Sequence, residues 1–439
     1  MRALINDYLR SPRSLALACF FVIAMDAAHA FASESMPTNT KSVAGVLADV
    51  FQIKIATDAN SPKAAYGSCF VVDAAGILAT NFHVVAYALH DPKKYHLYLI
   101  DGDRSIPAEV VAIDAVNDLA LVQVDRTFNR AVKFAHGLPE SGDKIYSIGW
   151  PEDLNKAVSE GNFNGLMQAG PYRKIQMSIP LNPGMSGGPT INDAGEVIGV
   201  NVSLRADSQS LAFAIPYESL RTLMREKKAS LSRPEDHDDF DETMRAQLER
   251  VQEEIATNVL RESDATLKIG SWNIFKPTKI VKCWHSQESG PRDQTQVITE
   301  QCYLSGSMPI KRDLDAGTFR LRYQAIENRN LNAWQFLHQL NDELEDQPFA
   351  IADKVERFTT SLRCRQLDLV NPKNVGLRVH YCVNGFVPYA EAYNLEFELV
   401  ASSAQRTALL VSGSFLGFSA HNALAILRTI INSIAWDHK

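Results

Sequence analysis

Apolar positions along the chain follow different periods in different stretches. Residues ~40–228 carry short apolar runs separated by turn residues, among them Phe51–Ala56, Cys69–Val72, Leu119–Val124, Lys144–Ile148 and Glu196–Val202. Many short strands at regular spacing predict an all-β barrel or sandwich. Tyr217–Lys228 reads as a helix closing this unit. The period then changes. Met244, Leu248, Val251, Ile255 and Val259 recur at steps of 4, 3, 4 and 4, which is one stripe of an amphipathic helix. Such a stripe needs a surface to cover it, either the β-rich unit or a second copy of the chain. Residues ~266–439 mix strand-like segments with two helical stretches, Leu331–Leu344 and Ala420–Trp436, an α+β pattern.

The joins carry their own signals. Pro234 is followed by Glu235, Asp236, Asp238, Asp239, Asp241 and Glu242, just ahead of the amphipathic stripe. Acids there suit the positive end of the helix dipole, so the run reads as a solvated helix start. A metal site on His237 lacks any recognisable ligand spacing. The charged, Pro-containing stretch predicts that the two halves part near residues 229–240. The domain reading is therefore a β-rich unit at 40–228, a helical linker at 229–265 and an α+β accessory domain at 266–439.

The first thirty residues read as an address. Arg2, Arg10 and Arg13 precede the apolar run Leu15–Met25, and Ala28-His29-Ala30 is a small-x-small cleavage pattern. The run is about half of the ~20 apolar residues that a membrane span needs. A cleaved signal peptide over residues 1–30 is expected, with a retained anchor as the alternative, and export to a periplasmic or secreted location follows.

Composition narrows the class. Hydrophobic residues are 46% and charged residues 22%, which excludes a mainly disordered chain and a multi-span membrane protein. The net charge of −7 argues against nucleic acid as the partner. Of six cysteines, Cys19 lies in the leader. Cys283 and Cys302, then Cys364 and Cys382, stand at similar spacings, each pair followed by strands and a helix beginning Asn-Ala. This suggests an internal duplication, with extra residues in the second copy near Val387–Arg406. Four cysteines allow three connectivities. Pairing 283 with 302 and 364 with 382 is preferred, which leaves Cys69 a free thiol.

The chemistry concentrates in Asn182-Pro-Gly-Met-Ser-Gly-Gly-Pro189. A serine hydroxyl needs a base beside it and backbone N–H groups aimed at the oxyanion. Glycines let the backbone turn tightly enough to supply those donors, here Gly184 and Ser186. Upstream, His83 ends the apolar segment Ala79–Val85, and Asp118 precedes the apolar run Leu119–Val122. With Gly67–Gly76, Gly195–Val200 and Leu211–Pro216, these segments resemble the trypsin-fold serine proteases of the HtrA/Deg type over residues ~65–217. The resemblance implies two β-barrels with the active site between them. It assigns His83 as base and then acid, Asp118 as the residue orienting it and Ser186 as nucleophile, with the triad in the order His, Asp, Ser. It implies peptide hydrolysis through an acyl-enzyme without metal or cofactor, protein or peptide substrates, a role in quality control or processing of exported proteins, and a homo-oligomer. The specificity pocket would be walled by Pro180 and Leu181 on one side and Asn201, Val202 and Ser203 on the other. No acid stands there, so aliphatic substrate side chains are expected, unless Asp207 folds over the pocket. Cys69 stands where the family commonly has glycine. No PDZ-like segment is recognisable in residues 266–439. The competing readings are a catalytically silent protease fold that binds or senses through its C-terminal domain, and an esterase using the same triad.

Overall fold

The computed structural model describes residues 38–62, 65–151, 154–169, 172–202, 211–230, 240–261, 266–277, 280–289, 294–304, 308–311, 314–345, 359–387, 389, 391–403 and 407–437. The predicted signal peptide, Glu235, Asp236, His237, Asp238, Asp239, Ser203, Arg205 and Asp207 lie outside these residues.

After helix α1 (Thr38–Leu47), twelve strands form two closed barrels. The first holds β1 (Val50–Ala56), β2 (Ala65–Asp73), β3 (Ile77–Thr80), β4 (His96–Asp101), β5 (Arg104–Asp114) and β6 (Leu119–Val124), in the order β1-β2-β3-β6-β5-β4. The second holds β7 (Lys144–Gly149), β8 (Ala157–Ala169), β9 (Tyr172–Ser178), β10 (Pro189–Asn192), β11 (Val197–Val202) and β12 (Ala212–Pro216), in the order β10-β11-β12-β9-β8-β7. Closure removes every free strand edge, which lets such short strands be stable. Helix α2 (Phe82–His90) follows β3, and α3 (Tyr217–Ser230) follows β12. His83, expected at a strand end, therefore sits in the first turn of a helix. Tight turning at Gly76, φ 103°, with the Ala75 N–H donating to Asp73 Oδ1 at 2.9 Å, aims β3 so that the chain enters α2 at the mouth of the barrel.

The amphipathic stripe is helix α4 (Phe240–Leu260), and Met244, Leu248, Val251, Ile255 and Val259 are all buried. They are covered from both sides. Gln247 of α4 accepts from the Ala115 N–H at 2.8 Å and donates to the Ile113 carbonyl at 3.0 Å, clasping the end of β5. On the other side the stripe meets β23 (Thr407–Phe418) and helix α6 (Ala420–Ser433) of the C-terminal unit. One continuous apolar cluster runs from Ile53 and Val84 of the first barrel through α4 to Phe319, Phe397 and Phe415. This core is shared by the first barrel, the linker helix and the C-terminal unit.

The C-terminal unit is α+β. β13 (Thr266–Ile269), β14 (Trp272–Phe275) and β24 (Ala435–Trp436) form a small sheet. The main sheet has seven antiparallel strands in the order β15-β16-β19-β23-β22-β21-β20. These are β15 (Val281–Ser289), β16 (Thr295–Leu304), β19 (Thr318–Asn328), β20 (Arg363–Val370), β21 (Gly376–Gly385), β22 (Tyr393–Ser402) and β23. β17 (Met308–Lys311) and β18 (Leu314–Ala316) form a separate hairpin.

Cys283 faces Cys302 across β15 and β16, and Cys364 faces Cys382 across β20 and β21, each pair bonded, with Cα atoms 4.0 Å apart. The two bridges tie the two edge strands at opposite margins of the sheet. They also lie on opposite faces. Cys302 belongs to the core face under α4 and α6, whereas Cys382 alternates with Leu377 and Val379, which point to that face. Helix α5 (Ala333–Glu345) packs Phe336 and Leu340 on the second face, opposite α6. A half-turn about an axis along the strands exchanges both margins and both faces.

Candidate active site

His83 and Asp118 come together at the mouth of the first barrel. His83 Nδ1 lies 2.7 Å from Asp118 Oδ2, and the His83 backbone N–H donates to Asp118 Oδ1 at 2.9 Å. A carboxylate only accepts, so Nδ1 carries the proton and Nε2 is left as the acceptor nitrogen. Asp118 has φ 54°, in the left-handed region that a non-glycine residue enters at a cost of roughly 1–2 kcal/mol. Neighbours hold it there. Asn81 Nδ2 donates to the Asp118 carbonyl at 2.8 Å, and Asp114 accepts from the Asn117 backbone and side chain at 3.0 and 2.7 Å.

The His83 side chain is 39% exposed. Desolvation is the largest influence on the ring and favours its neutral form. The Asp118 charge and hydrogen bond, joined by Asp315, together outweigh it against the opposing charge of Lys174, so the ring's pKa lies above the usual histidine value.

Ser186 is buried at 5% exposure in a loop strapped to both barrels. From the first barrel, the Ser68 backbone N–H donates to the Ser186 carbonyl at 2.8 Å, and Ser68 Oγ donates to the Gly184 carbonyl at 2.7 Å. Ser68 Oγ in turn accepts from the Trp150 N–H at 2.8 Å. From the second barrel, the Gly187 N–H donates to the Asn201 carbonyl at 3.0 Å and the Asn201 N–H to the Gly188 carbonyl at 2.8 Å. Gly184 has φ 94° and Gly187 φ 85°. A Cβ on Gly187 would stand 2.2 Å from the Ser68 carbonyl oxygen and 3.1 Å from the Asn81 nitrogen. The loop thus abuts the segment two residues ahead of His83. The Gly184 carbonyl held by Ser68 fixes the peptide that joins Gly184 to Met185, and the Gly188 N–H donating to the Met185 carbonyl at 3.2 Å fixes the one that carries the Ser186 N–H, one of the two donors expected to form an oxyanion hole.

The expected pocket residues are placed unevenly. Pro180 is exposed and Leu181 half-buried. Asn201 is fully buried and engaged: it accepts from Thr190 Oγ1 at 2.5 Å and donates to the Ile148 carbonyl at 3.1 Å. It is a strut of the second barrel, not a group open to a ligand, and Val202 beside it is also buried. Cys69 is a buried free thiol whose pKa burial pushes far up, which makes it an inert packing residue. Ser68 and Asn81 were not singled out from the sequence. Both sit inside the motifs that carry the resemblance, but only the packed structure gives their side chains partners.

Two antiparallel barrels, an Asp–His couple on one and a glycine-flanked serine strapped between them, form the arrangement expected from the resemblance to trypsin-fold serine proteases. Residues 67–200 match the model of the trypsin-like peptidase domain, and relatives similar to this region are named serine proteases. The chain is 36% identical over 171 residues to a protein named serine protease HhoA of Synechocystis sp., which covers 36% of this chain and 42% of that relative. It is 32% identical over 193 residues to a DegP-like periplasmic serine endoprotease of Brucella suis, covering 40% and 37%. The chain therefore spans about two fifths of the length of these curated relatives. Among solved structures it is similar to the HtrA-type protease AlgW with tripeptide, at 26% identity, TM-score 0.37 and coverage of 43% and 62%. The active form of a protease from M. tuberculosis gives 22% identity, TM-score 0.37 and coverage of 43% and 84%.

Proposed function

We propose that the protein is an exported serine endopeptidase that cleaves peptide bonds through an acyl-enzyme. The observation that carries this reading is the double contact of Asp118 with His83 beside a serine loop strapped to both barrels. Ser186 Oγ attacks the substrate carbonyl and passes its proton to His83 Nε2. Asp118 stabilises the imidazolium that forms and keeps the ring from rotating. The Gly184 and Ser186 N–H groups take the oxyanion. His83 returns the proton to the leaving amine, and water then repeats the sequence on the acyl group. Nothing in these steps calls for a metal.

Export rests on the basic, apolar and small-x-small order of the first thirty residues and on relatives named periplasmic. Among the described residues no helix is long and apolar enough to cross a membrane. Substrates are proteins or peptides of the exported space, in quality control or processing. The absence of an acid at Pro180, Leu181 and Val202 favours cleavage after aliphatic residues, since a buried, unpaired substrate cation is costly. A peptide-library profile dominated by Lys or Arg would refute that preference.

The test is an active-site fluorophosphonate label. It is expected to modify the mature protein and to spare Ser186→Ala. Equal labelling of the two removes Ser186 as nucleophile, and no labelling of either leaves the protease fold as a silent binding module.

A further inference from the structure

The hairpin β17–β18 belongs to the C-terminal unit by sequence but docks on the catalytic helix. β17 packs along α2, whose first turn carries His83. At the far end of α2, His90 Nε2 lies 2.6 Å from the Ile310 carbonyl. A carbonyl only accepts, so the ring donates. Met308, Ile310 and Ala316 are completely buried in the core shared with the first barrel. The hairpin's root is equally fixed. Ala316 meets Gly417 of β23 so closely that a Cβ on that glycine would stand 2.5 Å away, and the Gly317 N–H donates to the Leu416 carbonyl at 2.8 Å. A Cβ on Gly317 would lie 3.3 Å from Val251 of α4 and 3.9 Å from the Tyr172 hydroxyl of the second barrel. The hairpin is thus wedged between both barrels and the sheet, and Asp315, paired with Pro309 in its register, is exposed on it.

We infer that this hairpin is part of the catalytic centre and that Asp315 is a positioning residue, a second carboxylate besides Asp118 acting on the proton at His83. The inference rests on the serine-peptidase reading for its consequence, though not for its measurement. Three charged groups act electrostatically on His83: Asp118 from the turn before β6, Asp315 from β18, carried on the hairpin that packs along α2, and Lys174 from β9. The two carboxylates favour the imidazolium and Lys174 opposes it. During catalysis the ring gains its charge as Ser186 loses its proton, so a fixed anion nearby stabilises that step. A protease unit without the hairpin would lack that anion. The accessory domain thereby sets the pH at which the peptidase works.

The experiment follows the His83 imidazole by NMR across pH in the full chain, for the unaltered protein, Asp315→Asn, Asp315→Glu and a distant control, Asp368→Asn. Asp315→Asn is expected to move the His83 titration to lower pH, and the acid limb of kcat/KM with it, and to lower the plateau, because the imidazolium formed in the reaction loses one of its two anions. Asp315→Glu and Asp368→Asn should titrate like the unaltered protein. Salt screens an exposed carboxylate more than a contact pair. Raising ionic strength should therefore shift His83 the same way in the unaltered protein and much less in Asp315→Asn. Coincident His83 titrations in Asp315→Asn, Asp368→Asn and the unaltered protein, with no such salt difference, would overturn the inference. A protein without peptidase activity that still shows the NMR shift would refute the protease reading and leave the coupling standing.

Discussion

His83 gives Asp118 two protons to hold. The ring Nδ1–H goes to Oδ2 at 2.7 Å and the backbone N–H to Oδ1 at 2.9 Å. One carboxylate so fixes the tautomer, the rotation of the ring and the entry of the chain into α2. The arrangement requires Asp118 in a left-handed conformation, and Asn81, two residues ahead of His83, holds it there. The couple is therefore a closed circuit of residues 81, 83 and 118.

Asp118→Asn removes the acceptor while keeping the shape. An amide that donates to Nδ1 forces the proton onto Nε2, where it blocks proton uptake from Ser186. Turnover should fall by a factor on the order of 10⁴ with little loss of stability. Steady-state kinetics and a thermal melt on the same preparation check both parts.

Asn81→Ala should act on the same circuit from outside. It removes a part-buried hydrogen bond, worth about 1 kcal/mol, and leaves the Asp118 carbonyl less well held. The expected result is roughly a tenfold loss of kcat/KM with a modestly lower melting temperature. Unchanged kinetics would mean that Asp118 keeps its conformation unaided.

Activity and stability should run oppositely with pH across one window. The His83 pKa is raised in the folded protein. Its contribution to stability is therefore fully present below the ordinary value of about 6.5 and is lost as pH rises through the folded value. Activity needs the neutral ring, so kcat/KM should climb over that same interval. Melting temperatures of the unaltered protein and His83→Gln, compared from pH 5 to 9, should converge as activity rises.

Gly187→Ala should abolish both labelling and cooperative unfolding near the native melting temperature. The new Cβ meets backbone, not a flexible side chain, at 2.2 Å, and the φ of 85° is itself unfavourable. A cost of about 3–5 kcal/mol is expected for such combined strain and clash. Soluble, active Gly187→Ala protein would show that the loop can move away from Ser68.

Cleavage between residues 229 and 240 should leave two fragments that stay together. The α4 side chains Met244, Leu248, Val251, Ile255 and Val259 are buried between barrel and sheet, each worth about 1.5–3 kcal/mol. Nicked protein should elute as one species on gel filtration and separate only in denaturant. Fragments that part in native buffer would show that the shared core contributes little.

The β-rich unit was legible from local pattern, short strands and turn signals, whereas its two barrels and the pairing of His83 with Asp118 follow from the resemblance that the short motifs carry and not from anything local to either residue. The stripe from Met244 to Val259 was legible as a helix, but its two-sided burial was not, since periodicity gives a face and never its neighbour. Asn201 looked like a pocket residue from its place after the nucleophile. Its side chain is consumed instead by Thr190 and the Ile148 carbonyl, partners far away in sequence. Asp315 was invisible for the same reason. Nothing local to Leu314–Ala316 announces that this hairpin will lie beside a histidine more than two hundred residues upstream.

The two disulfides give the C-terminal sheet an order of assembly. A slip of one residue between β15 and β16, or between β20 and β21, would turn every side chain of the edge strand to the wrong face. A bond between directly opposed cysteines forbids that slip. Each bridge closes over a span of only 18 or 19 residues, so each marginal hairpin can be locked early and by itself. The pairing of β19 with β23 joins segments about ninety residues apart and carries the larger loop-closure cost. It then unites two ribbons whose alignment is already covalent. In a reducing environment the same chain must find that central pairing while both margins remain free to slide, and misregistered sheets should accumulate.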